Sequence, residues 1–302
     1  FFAMHPIIEE NKAIWTTLAI VVSTCVLLMF AKIATKPKRK VALDPSKYIP
    51  FKLIDKKIIS RDTRRFRFGL QSPKHILGLP IGQHISLKFV DSNNKIETRS
   101  YTPTSSDDEI GYVDFVIKVY FPNQHPKFPD GGKMSFHLEN MKIGETIEMR
   151  GPKGSLEYKG NGLFKIKRKD DRKVSKIGMI CGGTGITPMT QIMSAIGKEK
   201  RGDIEISLLF ANQTEDDILL REMIENFPKI HKNFKFHYTL DRPPENWNYS
   251  AGFIDQEMLR KTMPGPGEDT IVLLCGPPPM VKYAGIDNLE KMGYSADMYF
   301  SF

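Results

Sequence analysis

Three short motifs contain side chains that could bind phosphates and flat heterocyclic rings. They are Arg99-Ser100-Tyr101-Thr102-Pro103, the glycine-rich run from Gly182 to Met189, and Cys275-Gly276-Pro277-Pro278-Pro279-Met280. The planar fork of an arginine suits a diphosphate, and a tyrosine offers a flat face for a ring. Glycines directly after a strand allow a tight turn against a dinucleotide. Any one motif could arise by chance, so the elements around them matter.

The first motif lies in strand-rich sequence. Arg99 and Tyr101 are two residues apart on a predicted strand, so their side chains point to the same side. Thr102 points the other way and has a hydroxyl that could reach a ring nitrogen. Taken alone, an Arg-x-Tyr-Thr string is more typical of a surface pair than of a binding site.

A fourth string, Gly131-Gly132-Lys133-Met134-Ser135, precedes a predicted helix over Ser135 to Asn140. Glycines let a phosphate approach the backbone, and the start of a helix supplies N–H groups and a favourable dipole. An ordinary helix entry, with no ligand, explains the same string equally well on its own.

Two different element patterns surround these motifs. From Phe51 to about Tyr158, short apolar runs alternate with Gly, Pro, Asn and Asp clusters, which predicts an antiparallel barrel or sandwich. After the polar segment from Gly160 to Lys173, strands alternate with helices, which predicts a parallel sheet covered by helices. The predicted strands of this second part are Lys176 to Ile180, Ile204 to Phe210, Phe234 to Leu240 and Thr270 to Leu274, and its predicted helices are Met189 to Gly197, Asp216 to Glu225, Asp255 to Thr262 and Met280 to Lys291.

Together, the order and spacing of these motifs, from about Tyr48 to Phe302, resemble the NADH-cytochrome b5 reductase family of the ferredoxin-reductase superfamily. The resemblance implies an antiparallel β-barrel FAD domain and an α/β parallel-sheet NADH domain, and an apolar run before them predicts an N-terminal membrane-anchor helix. The expected divisions are a segment with a transmembrane anchor (1–34), a basic tether (35–50), the FAD-binding barrel (51–159), a linker (160–173) and the NADH-binding domain (174–302).

The resemblance also assigns residues to the two cofactors, FAD and NADH. For FAD it implies Arg99, Ser100, Tyr101, Thr102, Val116, Lys118, Phe121, Gly132, Lys133, Met134, Ser135 and Thr187. For NADH it implies Gly182, Gly183, Thr184, Gly185, Asp241, Gly276, Pro277 and Met280. Two positions depart from the family pattern, because Ser100 replaces a common proline and Cys181 replaces a usual alanine.

Four residues are candidates for catalysis: Thr102, His84, Lys118 and Cys275. The family places a histidine like His84 near Thr102 and the flavin, where an imidazole suits a proton relay, although simple packing on a strand is the alternative. Cys275 has no His/Asp constellation that would make it a nucleophile, so we expect it to pack beside a bound ring. Asp241 ends a predicted strand and can accept from a ribose 2′-hydroxyl, which favours NADH over NADPH; the alternative is an ordinary turn aspartate.

The composition limits the class of protein. Three cysteines, with no CxxC pair and no zinc-like spacing, indicate a reducing compartment and no structural metal. The formal net charge is +9, and the segment from Lys32 to Arg67 alone contains 13 basic and 3 acidic residues. Such a segment suits an anionic membrane or an acidic partner, or is simply a solvated surface. Nucleic acid is not expected, because no recognisable binding module accompanies the charge.

An uncharged run of 19 residues, from Ala13 to Ala31, predicts a membrane anchor. As a helix it would extend about 28 Å, close to the thickness of a bilayer core. Basic residues follow this run, and the excess of positive charge on that side predicts that the catalytic domains lie in the cytoplasm. A cleaved signal peptide fits poorly, because its positive charge would precede the apolar run. The resemblance implies that this membrane is the endoplasmic reticulum or the mitochondrial outer membrane. It also implies that cytochrome b5 accepts the electrons and docks through its acidic surface, with help from Lys133. The alternatives are a flavin reductase with another acceptor, such as a quinone or other haem protein, and a non-catalytic redox scaffold.

Overall fold

The computed structural model describes residues 15–24, 39–123, 129–199 and 202–302. The chain divides into two units, Phe1–Lys40 and Val41–Phe302. Residues 15–24 lie in a helix, α1. The rest of the predicted anchor, at 13–14 and 25–31, lies outside the described residues. Over the ranges that are described, no helix combines the length and the apolar character that a membrane crossing requires.

The first part of the larger unit is a six-stranded antiparallel sheet. Its strands are β1 (Ile49–Ile58), β2 (Thr63–Gly69), β3 (His84–Val90), β4 (Ile96–Tyr101), β5 (Tyr112–Lys118) and β6 (Thr146–Lys153), in the order β4-β3-β6-β1-β2-β5. In β5, every second residue faces inwards, and Val113, Phe115 and Ile117 share one buried core. Asp114 and Lys118 point to the opposite face, as period-two strands require.

This sheet is rolled around its core. The rings of Tyr101 on β4 and Phe115 on β5 lie 6.4 Å apart, although these are the two edge strands of the ladder. Helix α2 (Lys133–Asn140) follows β5 and buries Met134 and Leu138 in the same core. The antiparallel barrel predicted from the turn-rich sequence is therefore the architecture of this domain, and we call it the barrel domain.

Two segments differ from the sequence prediction. The predicted tether includes Ala42 and Leu43, but both side chains are buried in the barrel core, and Ala42 N donates to Ile76 O. The predicted polar linker forms strands β8 (Leu163–Ile166) and β9 (Arg172–Lys173), which make a small sheet with β7 (Leu156–Tyr158). Phe164 and Ile166 are buried while the lysines beside them face solvent, so this segment packs as a strand despite its basic composition.

The second part is a six-stranded parallel sheet, as the alternation of strands and helices predicts; we call it the α/β domain. Its strands are β10 (Lys176–Gly182), β11 (Glu205–Asn212), β12 (Phe234–Leu240), β13 (Ser250–Ala251), β14 (Thr270–Cys275) and β15 (Tyr299–Ser301), in the order β13-β12-β11-β10-β14-β15. Its α-helices are α3 (Ile186–Lys198), α4 (Arg221–Asn226), α5 (Gln256–Thr262) and α6 (Asp287–Lys291), and a π-helix over Met280–Ile286 leads into α6.

The helix predicted over Asp216 to Glu225 is interrupted. A short 3₁₀ turn covers Glu215–Asp217, and α4 begins only at Arg221. Leu220 adopts a left-handed conformation with φ of 56°, which ends one helical segment before the next begins. Strands β13 and β15, of two and three residues, were not predicted because they are too short to show a period.

The barrel domain and the α/β domain share a packed boundary. Val116, on the outer face of β5, is buried in the core of the α/β domain, and Ile81 packs against that core. Gly82 N donates to the side-chain oxygen Oε1 of Gln191 on α3 at 2.7 Å. This boundary sets the distance between the first motif and the other two.

Candidate cofactor-binding cleft

The second and third motifs lie side by side at the carboxyl edge of the parallel sheet. Strands β10 and β14 are neighbours, and Cys181 is paired with Cys275 in their register. A Cβ atom added to Gly185 would stand 2.2 Å from the carbonyl oxygen of Cys275. Only glycine permits this approach, so the glycine-rich turn and the Cys-Gly-Pro loop form one surface. Open parallel sheets bind ligands at this edge.

The turn over Gly183–Gly185 leaves space for a ligand. Gly183 has a φ of 54°, and nothing lies within 4 Å of the position where its Cβ would be. Helix α3 begins directly afterwards at Ile186, whose N–H donates back to the carbonyl oxygen of Gly183, so the turn runs straight into the helix. Thr187 donates to Thr184 O at 3.1 Å, which holds the turn closed on the helix. The arrangement fits the diphosphate of a dinucleotide.

The barrel domain reaches the same turn through β5. That strand lies against the Gly183–Gly185 turn, and Val116 is 7% exposed between the two domains. Val116, which the resemblance assigned to FAD, therefore lies on the strand that contacts the turn assigned to NADH.

The first motif lies at the end of β4. Tyr101 is largely buried against Phe115, and this burial raises the pKa of its hydroxyl, so the phenol stays protonated. The Arg99 guanidinium is about half exposed and lies 3.5 Å from the Glu97 carboxylate. Ser100 pairs with Ser86 of β3 in the ladder. The exposed guanidinium of Arg99 and the exposed edge of the Tyr101 ring therefore present a cation beside an aromatic face.

The Gly-Gly-Lys-Met-Ser string joins the first motif through the same carboxylate. Lys133 Nζ donates to Glu97 Oε1 at 2.7 Å, so Lys133 and Arg99 converge on one buried acid. Ser135 Oγ accepts from Tyr120 N and donates to Gly132 O, each at 3.2 Å. Met134 is 2% exposed and belongs to the core, so its side chain is not presented to a ligand.

Phe121 follows β5 at the mouth of the barrel. Its ring meets that of Phe136 on α2 edge to face at 6.3 Å, and the Arg64 guanidinium lies 5.6 Å from its centre. These contacts fix the orientation of the ring, which is the condition for a stacking platform.

The ammonium group of Lys118 faces two carboxylates. Its Nζ lies 2.9 Å from Asp62 Oδ2 and 3.7 Å from Asp217 Oδ1. It stands at the end of β5, two residues from Val116, so it remains next to the cleft while its charge is balanced by protein groups.

His84 begins β3, and Thr102 directly follows β4, whose last residue Tyr101 pairs with Ile85. The expected contact between His84 and Thr102 stays a prediction. Burial lowers the pKa of the His84 imidazole, and Lys153, its partner on β6, lowers it further. His84 is therefore neutral at pH 7, the form that can accept or donate a proton.

Cys275 is suited to packing rather than to nucleophilic chemistry. Burial raises the pKa of its thiol to about 11, so the thiolate is scarce at neutral pH. The neighbouring Cys181 is fully buried, and this burial likewise raises the pKa of its thiol. Among the described residues, no group of His, Cys, Asp and Glu side chains could hold a metal ion.

Three polar or aromatic side chains follow the carboxyl edge away from the motifs. Asp241 N donates to Asn212 O at 3.1 Å, and Asp241 itself lies at the surface just beyond β12. Both amide atoms of the buried Asn212 lack hydrogen-bond partners among the described residues. Phe253, 81% exposed, follows Gly252, whose N–H donates to Leu240 O.

Sequence reasoning missed Asn212 and Phe253. A polar residue that ends a buried strand was the available signal for Asn212, but the predicted strand stopped at Phe210. An orphaned buried amide and an exposed ring, both at the edge that holds the glycine-rich turn, fit a nucleotide lying across this edge.

Several basic residues near the end of the basic segment are paired with carboxylates of the barrel domain. Arg64 contacts Glu139 at 3.1 Å, and Arg67 donates two hydrogen bonds to Asp114, at 2.7 and 2.8 Å. Arg65 is paired with Asp55. For the part of the segment that lies on the barrel, this pairing supports a solvated surface with paired charges. It supports a free basic patch for a membrane or an acidic partner less well.

Comparison with known proteins agrees with this geometry. The family model for the oxidoreductase FAD-binding domain matches residues 50–158, and that for the oxidoreductase NAD-binding domain matches 179–285. NADH-cytochrome b5 reductase 3 of Rattus norvegicus is 52% identical over 282 residues, which cover 91% of this chain and 93% of that protein. NADH-cytochrome b5 reductase 2 of Xenopus tropicalis is 48% identical over 295 residues, covering 95% and 97%.

A solved structure, the cytochrome b5 reductase domain of Ulva prolifera nitrate reductase, aligns with a TM-score of 0.82 at 44% identity. The alignment covers 87% of this chain and 100% of that one. Both domains, and the cofactors FAD and NAD that they bind, are those of one family along almost the whole chain. The chain therefore belongs to the NADH-cytochrome b5 reductase family.

Proposed function

We propose that the protein oxidises NADH and passes the electrons through FAD, one at a time, to cytochrome b5. The observation that supports this most directly is the contact of β5 with the Gly183–Gly185 turn. It joins the barrel face assigned to a flavin to the sheet edge assigned to a nicotinamide nucleotide. The bound cofactors supply hydride transfer and single-electron release, while the protein supplies binding, alignment and proton handling.

On the barrel side, Arg99 and Lys133 hold the diphosphate of FAD. They converge on Glu97, and the N–H groups at the start of α2 lie beside Lys133. Tyr101, kept protonated by burial, offers a ring face and a hydroxyl donor. Val116, Phe121 and Ser135 complete the walls.

On the sheet side, the turn over Gly183–Gly185 receives the diphosphate of NADH. Asp241 accepts from the adenosine ribose, and its negative charge disfavours a 2′-phosphate. Cys275, Gly276 and Pro277 border the nicotinamide, where a neutral thiol adds bulk without charge.

His84 and Thr102 handle the proton that accompanies electron transfer. The imidazole is neutral and partly buried, and the pairing of Ile85 with Tyr101, the residues next to His84 and Thr102, supports this proposal. Thr102 holds the heterocycle by a hydrogen bond, and His84 passes a proton to or from solvent.

We also propose that residues 13–31 anchor the protein in the endoplasmic reticulum or the mitochondrial outer membrane, with the catalytic domains in the cytoplasm. The apolar run followed by basic residues supports this. Lys133, about half exposed, contributes to docking an acidic haem protein, and that encounter should weaken as salt is added.

The test is stopped-flow absorbance on the purified full chain, mixed with NADH or with NADPH, and then with cytochrome b5. We expect flavin bleaching by NADH to outpace bleaching by NADPH, followed by haem reduction that slows with added salt.

Each part of the proposal can fail separately. Bleaching without haem reduction would exclude cytochrome b5 and require a different acceptor, such as a quinone. No bound flavin, or no bleaching with either nucleotide, would overturn the proposed reaction itself.

A further inference from the structure

Four charged side chains meet where the barrel domain contacts the α/β domain. We call this set, Arg61, Asp62, Lys118 and Asp217, the boundary cluster. Lys118 Nζ lies 2.9 Å from Asp62 Oδ2 and 3.7 Å from Asp217 Oδ1, and an Arg61 guanidinium nitrogen lies 3.6 Å from the same Asp217 oxygen. Three of the four residues come from the barrel, and Asp217 alone comes from the α/β domain.

Asp217 uses its two carboxylate oxygens for different purposes. Oδ2 accepts from Thr214 N at 3.0 Å and from Thr214 Oγ1 at 2.7 Å, which fixes the carboxylate within its own loop. Oδ1 faces the two cations of the barrel. The carboxylate is therefore oriented by its own domain and presented to the other.

The charge on Asp217 is maintained although the side chain is only 8% exposed. Burial acts to raise its pKa, but the hydrogen bond from the Thr214 side chain and the charges of Lys118 and Arg61 lower it overall. A buried carboxylate without such partners would be costly. The attraction across the boundary is thus present at neutral pH.

The barrel side of the boundary cluster is held to the strand that borders the cleft. Val119 N donates to Asp62 O at 2.6 Å, so the β1–β2 turn is tied to the end of β5. Lys118 is two residues from Val116, and β5 lies against the Gly183–Gly185 turn. The boundary cluster is therefore connected, through β5, to the strand that separates the two halves of the cleft.

We propose that Asp217 is a positioning residue that, through Lys118 and Arg61, holds the α/β domain at the spacing required for hydride transfer. This inference rests on the proposed function. The distances of 3.6 and 3.7 Å are longer than hydrogen bonds, so the attraction acts through charge and tolerates small shifts of the boundary. Lys118 then acts on the reaction through Asp217 as well as by its place beside the cleft.

The test compares Asp217→Asn with the matched control Glu215→Gln in the full chain. An asparagine keeps an oxygen that accepts from Thr214 but removes the charge that faces the barrel. Glu215 lies in the same 3₁₀ turn, and its ion pair with Arg221 stays within the α/β domain. Flavin bleaching at saturating NADH should fall about tenfold in Asp217→Asn and stay unchanged in Glu215→Gln, with equal flavin content.

Hydrogen exchange gives a readout that does not depend on turnover. Amides of β5 and of the Gly183–Gly185 turn should exchange faster in Asp217→Asn than in the wild type, while those of β11 should not change. Asp217→Glu, which retains the charge, should recover most of the bleaching rate.

Two results would overturn the inference while leaving the proposed function intact. One is wild-type bleaching and exchange in Asp217→Asn. The other is a rate in Asp217→Glu as low as in Asp217→Asn, since restoring the negative charge would then not restore the rate. Failure of the wild type to bleach with NADH would instead overturn the proposed function.

Discussion

Replacing Gly185 by alanine tests the central claim that two motifs form one surface. Gly185 has an ordinary helical backbone, with φ of −61° and ψ of −8°, so alanine adds no backbone strain. The added Cβ would instead stand 2.2 Å from the carbonyl oxygen and 2.6 Å from the carbonyl carbon of Cys275. Both are backbone atoms, which no side-chain rotation can move aside.

The size of the effect follows from that distance. The Cys275 backbone must retreat by about 1.2 Å to reach the 3.4 Å at which ordinary contact begins. Overpacking of this kind costs ~1–3 kcal/mol of unfolding free energy. For a chain of this size that lowers the melting temperature by up to about 10 °C. A misplacement of about 1 Å at a reacting site can also lower the rate ~100-fold.

The assay pairs thermal unfolding with stopped-flow flavin bleaching by NADH. Two other glycines serve as controls. Gly265→Ala adds a Cβ in open, exposed sequence and should change the unfolding free energy by less than about 0.5 kcal/mol. Gly183→Ala meets no atom within 4 Å, so only its positive φ should cost stability, about 1–2 kcal/mol. A Gly185→Ala protein with wild-type stability and bleaching would refute the reasoning, because the two loops would not be in contact.

Three further predictions concern single residues of the cleft. Asp241→Thr should raise the ratio of kcat/KM for NADPH over NADH by at least about tenfold, because a repulsive charge is removed; an unchanged ratio would assign Asp241 to the turn alone. Cys275, with a pKa of about 11, should react slowly with iodoacetamide at pH 7, and its labelling rate should rise about tenfold per pH unit towards pH 10. Mass spectrometry measures the labelled fraction, and rapid labelling at pH 7 would contradict the burial of the thiol. The pKa of His84 lies below the ordinary 6.5, so the unfolded chain binds a proton that the folded one does not, and stability should fall as pH drops below about 6.5. His84→Gln should make this slope shallower in urea unfolding at pH 5.5 and 7.5, and an unaltered slope would exclude His84 as its source.

Much of the fold could be predicted because the patterns that specify it are local. The turn-rich sequence from Phe51 to about Tyr158 predicted an antiparallel domain, and the strands predicted before Gly182 and before Cys275 lie within β10 and β14. Parallel strands in one sheet end at a common edge, so the meeting of the second and third motifs also followed. The anchor predicted over 13–31 remains a prediction.

Other features depend on contacts between distant residues. Phe164 and Ile166 alternate with lysines, but the basic composition suggested a linker, and only their burial in the α/β core identifies a strand. Lys118 was assigned to FAD, whereas its pairing with Asp217, 99 positions away in the chain, cannot be read from either local sequence.

The strict sequential order of the two domains has a consequence for the nascent chain on the ribosome. All six barrel strands lie between Ile49 and Lys153, and the parallel sheet begins only at Lys176. Domains fold from the N-terminus as synthesis proceeds, so the barrel can close while the α/β domain is still being translated. Until the second domain arrives, Val116 and Ile81 present apolar surface that is covered in the finished protein. Chaperone binding during synthesis should concentrate on this face, and slower translation after Lys153 would lengthen the time for which it is exposed.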